Sequence, residues 1–275
     1  MPRRGLLAVV LLLLGIFLIG LLKDALRDSP RYRIGPVMAR VGDLPPVLES
    51  RRERLLDGPP LLAGPRSLFD PELAQDLRRA LERRPWVRRV RAIHRILPDG
   101  IRVDLTLRVP LAVVCTGAER LAVDETGHVL ESDSDLGPPE HPEIRLPGRT
   151  LPFVPVDGEA FRRSDVLEAL AVLRDIERVA RSGERVLETL PIVEVRVGES
   201  GERRKAGSSD ILLVLENGVE VTWGRSSLSP LHVFELDPRE KLERLARLLR
   251  TWPGLVGIQR VDLRLHDPLV YPRTS

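Results

Sequence analysis

The stretch Ser67–Val114, SLFDPELAQDLRRALERRPWVRRVRAIHRILPDGIRVDLTLRVPLAVV, decides the fold. It reads as one helix followed by two strands. Asp70 is placed to cap the helix, Pro71 suits a first helical position, where its missing N–H costs nothing, and Leu73, Leu77 and Leu81 recur on one face. Pro85 stops it. From Val87 to Ile96, and again from Ile101 to Leu107, apolar residues alternate with charged ones, which predicts a half-buried hairpin turned at Pro98-Asp99-Gly100. Its apolar face is the natural seat for the leucine stripe.

Outward from that core, 275 residues leave room for two modest domains. Lysine and arginine total 43 against 40 acids, a net charge of +3, and only Lys23, Lys205 and Lys241 are lysines. The arginines alternate with acids instead of clustering, which is no nucleic-acid footprint. Cys115 is the only cysteine, so no disulfide can form within the chain.

Gly5–Leu22, GLLAVVLLLLGIFLIGLL, is an uninterrupted apolar run between Arg3-Arg4 and Lys23. As a helix it reaches roughly 27 Å, close to the ~30 Å of a bilayer core. LLKDALRDS follows it in place of an A-x-A-like exit, so it reads as an uncleaved anchor over residues 5–23. Arg3 and Arg4 place the four-residue tail in the cytoplasm, whereas Arg27, Arg31 and Arg33 argue the other way, partly offset by Asp24 and Asp28. With so short a tail, export of the large domain is the expected outcome. Residues 24–65, rich in proline and glycine, read as a linker or as a distorted first strand and helix, with Val47–Leu56 the one candidate helix.

Beyond the hairpin, Arg120–Leu130 reads as strand, turn and strand around Glu125–Gly127, and Ser132–Pro142 as an acidic loop closed by Leu146-Pro147-Gly148. Ser164 opens a helix over Asp165–Arg181 that turns Leu167, Leu170, Ala171, Leu173 and Ile176 inward. Val193, Val195 and Val197 alternate in a strand. After a polar loop at Gly198–Ser209, Ile211–Leu215 and Val219–Trp223 are joined by Asn217-Gly218, a strong hairpin signal. Asp237-Pro238 caps a third helix with Leu242, Leu245, Leu248 and Leu249 on its stripe, and Pro253-Gly254 ends it. Gly257–Leu265 is the last strand, with Val261, Leu263 and Leu265 opposite Arg260, Asp262 and Arg264.

Catalytic signals are sparse. His94, His128, His141, His232 and His266 lack metal-site spacing, and no metalloprotease, nucleophile-elbow, Walker or dinucleotide motif occurs. Gly224-Arg225-Ser226-Ser227 imitates a nucleophile turn but has no helix pattern behind it. Cys115, at the end of an apolar strand, reads as buried. We expect no catalytic residue, metal, cofactor or small-molecule substrate, and no nucleic-acid partner.

Several motifs occur in one order: Pro85-Trp86-Val87 after a helix; His94-Arg95-Ile96-Leu97-Pro98, an alternating strand and Arg108-Val109-Pro110-Leu111-Ala112; Val123-Asp124-Glu125-Thr126-Gly127; and Val261-Asp262-Leu263-Arg264 after a leucine-rich helix. In this the chain resembles the FtsQ/DivIB family of bacterial division proteins. The resemblance implies an α+β protein: a cytoplasmic tail (1–4), a single transmembrane helix (5–23), a linker and possible start of the next module (24–65), a small POTRA (β-α-α-β-β) domain (66–114), and a mixed β-sheet domain with helices packed on it (115–275). Pro85, Trp86, Val87, Pro98 and Pro110 would be structural POTRA positions. It also implies a non-catalytic scaffold in the inner (plasma) membrane at the septum, with FtsB/DivIC-like and FtsL-like single-span partners. Partner strand addition would fall on Val261–Tyr271, with Arg260, Val261, Leu263, Arg264, Leu265, Val270 and Tyr271 as contact residues. Arg260 and Arg264 read equally as a solvated face, Tyr271 as a hot spot or a frayed end, and Trp86 as a core aromatic or a hot spot. Pro268 cannot donate to a ladder. Two other classes carry the same outline: a POTRA-bearing secretion or outer-membrane assembly component, and an exported membrane-anchored hydrolase.

Overall fold

The computed structural model describes residues 2–34, 37–41, 66–117, 119–132, 141–146, 155–181, 191–198, 211–230, 232 and 235–273, with 2–10, 38–41, 131, 132 and 181 described by backbone alone. The proposed helix at Val47–Leu56, the polar loop after Gly198 and most of the acidic loop lie outside the described residues. The chain divides into Met1–Arg108 and Val109–Ser275.

In the first unit, α1 runs Pro2–Asp28, and a 3-10 turn follows at Pro30–Tyr32. From Leu11 to Leu22 its side chains are exposed. Among the described residues no helix is long and apolar enough to cross a membrane. The segment read as a linker or a distorted first strand and helix holds β1 (Val37–Val41), which pairs in parallel with β3 (Gly100–Leu107), Val37 opposite Ile101 and Val41 opposite Leu105. β2 (Val87–Ile96) pairs with the other side of β3, giving the order β1-β3-β2.

Helix α2 (Leu73–Glu82) packs on β2, and Leu73, Leu77 and Leu81 are buried as their spacing requires. It starts later than its sequence signals. Asp70 Oδ1 accepts the Glu72 N–H at 3.0 Å in a turn ahead of the helix, so Pro71 stands outside it. Trp86 is a buried aromatic at the foot of β2, its carbonyl accepting the Arg108 N–H at 2.8 Å. Pro98 sits in the β2–β3 turn.

Pro110 belongs elsewhere. It opens β4 (Pro110–Cys115), which pairs with β5 (Arg120–Asp124) and β7 (Glu143–Arg145) of the second unit. The unit boundary therefore falls at Arg108–Val109, ahead of the 114–115 junction read from the sequence, because β4 finds its partners downstream.

The second unit is one mixed sheet of nine strands, ordered β12-β11-β10-β9-β8-β7-β4-β5-β6. Its remaining strands are β6 (Val129–Ser132), β8 (Ile192–Val197), β9 (Ile211–Leu215), β10 (Glu220–Gly224), β11 (Ile258–Asp262) and β12 (Leu269–Pro272). Helices α3 (Ser164–Arg181) and α4 (Pro238–Thr251) share one apolar core with the sheet's inward residues. In α3 the buried face includes Val166, Ala169 and Leu170, while Leu167, expected inside, is exposed. In α4, Asp237 Oδ1 accepts the Arg239 N–H at 2.8 Å and Leu242, Leu245 and Leu248 are buried, as expected.

Candidate functional site

The sheet ends in a hairpin that the sequence showed as one strand. β11 is paired on both sides, in parallel with β10 and antiparallel with β12. After Asp262, Leu263 donates its N–H to the Thr222 carbonyl at 3.0 Å, and Asp262 Oδ1 accepts the Arg264 N–H at 3.0 Å, which starts the turn. Pro268 directly precedes β12 and interrupts no ladder. Among the described residues β12 pairs only with β11, so it and not β11 is the open edge.

The predicted contact residues therefore separate. Val261 and Leu263 are 0 % exposed within the core cluster, and Val270 packs against it. Val261 and Leu263 cannot touch a partner while the unit is folded, because the period-2 alternation turns both under the helices. Leu265, Leu269 and Tyr271 stand 58, 49 and 46 % exposed. Arg260 pairs with Glu220, and Arg264 with Asp262 at 2.7 Å.

Arg260 ends a ladder that crosses the sheet face opposite α3 and α4. Arg120 binds Glu143 (2.9 Å), Arg145 lies between Glu143 (3.0 Å) and Glu194 (3.8 Å), and Arg196 joins Glu194 (2.7 Å) to Glu220 (2.9 Å), which also takes Arg260. Registry explains it. Glu143, Glu194 and Glu220 share one cross-strand row that Val214 of β9 interrupts, and Arg145 and Arg196 stand in the next row. Exposed pairs of this kind contribute about 0–1 kcal/mol each, so the face is neutralised more than it is stabilised. Cys115 lies beside this ladder, half-buried, and burial pushes its thiol pKa up, with Glu143 adding to the shift. It is a poor nucleophile at neutral pH.

Sequence reasoning missed Lys241, although one lysine on a leucine-striped helix of an arginine-rich chain was a signal. Its side chain is 0 % exposed, donating to Glu235 Oε2 and to the Trp223 carbonyl at 2.7 Å each, with Nζ 5.2 Å from the Trp223 ring centroid. Burial lowers its pKa against the upward pull of Glu235. Glu235 also accepts the Arg225 N–H, and it occupies the space a Cβ on Gly224 (φ +89°) would need. Ser226 and Ser227 give their N–H groups to Glu168 and Asp175 of α3. The resemblance to a nucleophile turn thus comes from a loop whose amides are held by carboxylates. Among the described residues no group of His, Cys, Asp and Glu is arranged to hold a metal ion.

Residues 112–264 match the family model described as "Cell division protein FtsQ/DivIB, C-terminal". The match spans β4 to the end of β11 and leaves the first unit and β12 outside it. No curated protein sequence matches the chain.

Proposed function

The chain belongs to the FtsQ/DivIB family of cell-division proteins, and from that premise we propose that it is a non-catalytic, membrane-anchored scaffold that recruits division partners by strand addition to β12. One observation carries the reading. Among the described residues β12 is hydrogen-bonded on one side only, and the two exposed apolar side chains Leu269 and Tyr271 stand on it. Unpaired strand N–H and C=O groups supply affinity to an incoming strand, and alternate side chains supply choice. A single-span partner of the FtsB/DivIC or FtsL type, contributing an extended segment next to its coiled coil, has the chemistry this edge takes.

Support for the anchor comes from α1. Its backbone is helical over 27 residues, and the apolar run Gly5–Leu22 begins within the part described by backbone alone. At about 1.5 Å per residue the helix is ~40 Å long, and the apolar run Gly5–Leu22 of the sequence makes up about 27 Å of it. With the tail in the cytoplasm, both folded units lie outside the cell's inner membrane, at the septum where the family acts.

The test uses the full chain in membranes. Deleting Leu269–Ser275 is expected to abolish co-purification of an FtsB-like partner and to leave the second unit's melting transition in place. Undiminished co-purification overturns strand addition. Resistance to carbonate extraction, with a reporter fused after Ser275 active only outside the cytoplasm, is the expected result for the anchor.

A further inference from the structure

We infer that the end of the first unit nearest α1 is a binding site for an anionic phospholipid of the bilayer, an inference that rests on the anchor proposed above. The geometry begins with a missing linker. Tyr32 and Phe69 meet edge to face with ring centroids 5.0 Å apart, the Ile34 N–H reaches the Arg66 carbonyl, and the Leu68 N–H reaches the Tyr32 carbonyl, both at 2.8 Å. The folded unit thus starts at Tyr32, four residues past the end of α1, a reach of at most about 14 Å. Asp70 also feels the charge of Arg27, in the last turn of α1.

At that same end a groove of about 360 Å³ lies between the start of α2 (Leu73, Ala74) and β2 (Ile93, Arg95), with Ile101 also lining it. One Arg95 nitrogen donates to the Asp70 carbonyl at 2.9 Å, which fixes the guanidinium at the rim. A guanidinium carries five N–H donors, so others remain for a phosphate. Leu97, two residues on at the hairpin turn, is 65 % exposed. Two of the acids at this end, Asp70 and Asp76, are matched by Arg66, 2.7 Å from both, which leaves Glu72 and Asp99.

Charge then selects the ligand. Without Arg3 and Arg4 of the tail, the first unit carries 19 lysines and arginines against 12 acids, a formal +7, while the second carries 22 against 28, a formal −6. Anionic headgroups attract juxtamembrane cations, and screening confines that attraction to about 10 Å, so the cations beside α1 are the ones that count. Arg95 takes the phosphate, the groove takes the apolar part of the lipid, and Leu97 enters the interface.

The experiment places an environment-sensitive fluorophore on Leu97→Cys in the full chain carrying Cys115→Ser, in nanodiscs of phosphatidylcholine alone or mixed with phosphatidylglycerol. A blue shift with about a threefold rise in intensity is expected only in the anionic discs, lost when Arg95→Gln is added. A label on Glu82→Cys, at the far end of α2, stays unchanged. Equal emission at position 97 in both lipids, with the chain retained in the discs, overturns the lipid site and leaves the anchor standing. Loss of the chain from the discs overturns both. An equal response to soluble polyglutamate in detergent overturns the lipid site in favour of an acidic peptide at the β2 edge.

Discussion

β11 and β12 are neighbours in one hairpin, yet they do opposite work. β11 has partners on both sides and sends Val261 inward, with Leu263 buried just beyond it; β12 has one partner and leaves Leu269 and Tyr271 in solvent. Alternation along a strand reports which face is buried. It does not report how many strands lie beside it, and that number decides whether the backbone is available to another chain. The residues that look most strand-like in the last segment are therefore the ones that hold the unit together.

Four perturbations break or sharpen that contrast. Leu263→Glu buries a carboxylate in the core and is expected to cost more than about 4 kcal/mol, seen as loss of the second unit's cooperative transition in chemical denaturation. Lys241→Met strands Glu235 beneath α4 and is expected to cost about 3 kcal/mol. It also changes a pH profile. Burial holds the Lys241 pKa below the ordinary 10.5, so between the depressed value and 10.5 the unfolded chain binds more protons, and stability rises with pH across that window. In the methionine variant that rise is absent from denaturation curves taken at alkaline pH. Leu269→Glu with Tyr271→Glu should weaken partner binding by about 2 kcal/mol, roughly thirtyfold, and move stability by no more than ~0.5 kcal/mol; calorimetric titration beside thermal melting separates the two. Arg260→Gln frees one end of the ladder while Glu220 keeps Arg196, so less than about 1 kcal/mol is expected, shrinking further in high salt.

Elements with local causes were legible. The Leu73, Leu77, Leu81 stripe, the Asn217-Gly218 hairpin and the Asp237 cap each act within a few residues, and each appears where its chemistry puts it. Elements with distant causes were not. β1 lies in a proline-rich stretch and exists through parallel pairing with β3, some sixty residues on. β4 follows β3 after only two residues, and its run of apolar residues does not say that its partners change from one sheet to the next. At the candidate site, exposed Tyr271 and buried Val261 both carry strand-forming side chains, and only the β10-β11-β12 order tells them apart. Lys241 was hidden differently. Its neighbours on α4 have ordinary helix periodicity, and the need for a buried ammonium arises from Glu235 and the Trp223 carbonyl.

The parallel register of β1 on β3 also has a mechanical meaning. If α1 is the anchor proposed above, tension entering through it reaches β1, whose five residues face Ile101–Leu105. Pulled along its own axis, such a strand loads all its rungs in shear together, where a peeled strand would lose them singly. A constricting envelope would then drag this module as a rigid body before drawing any strand out of it.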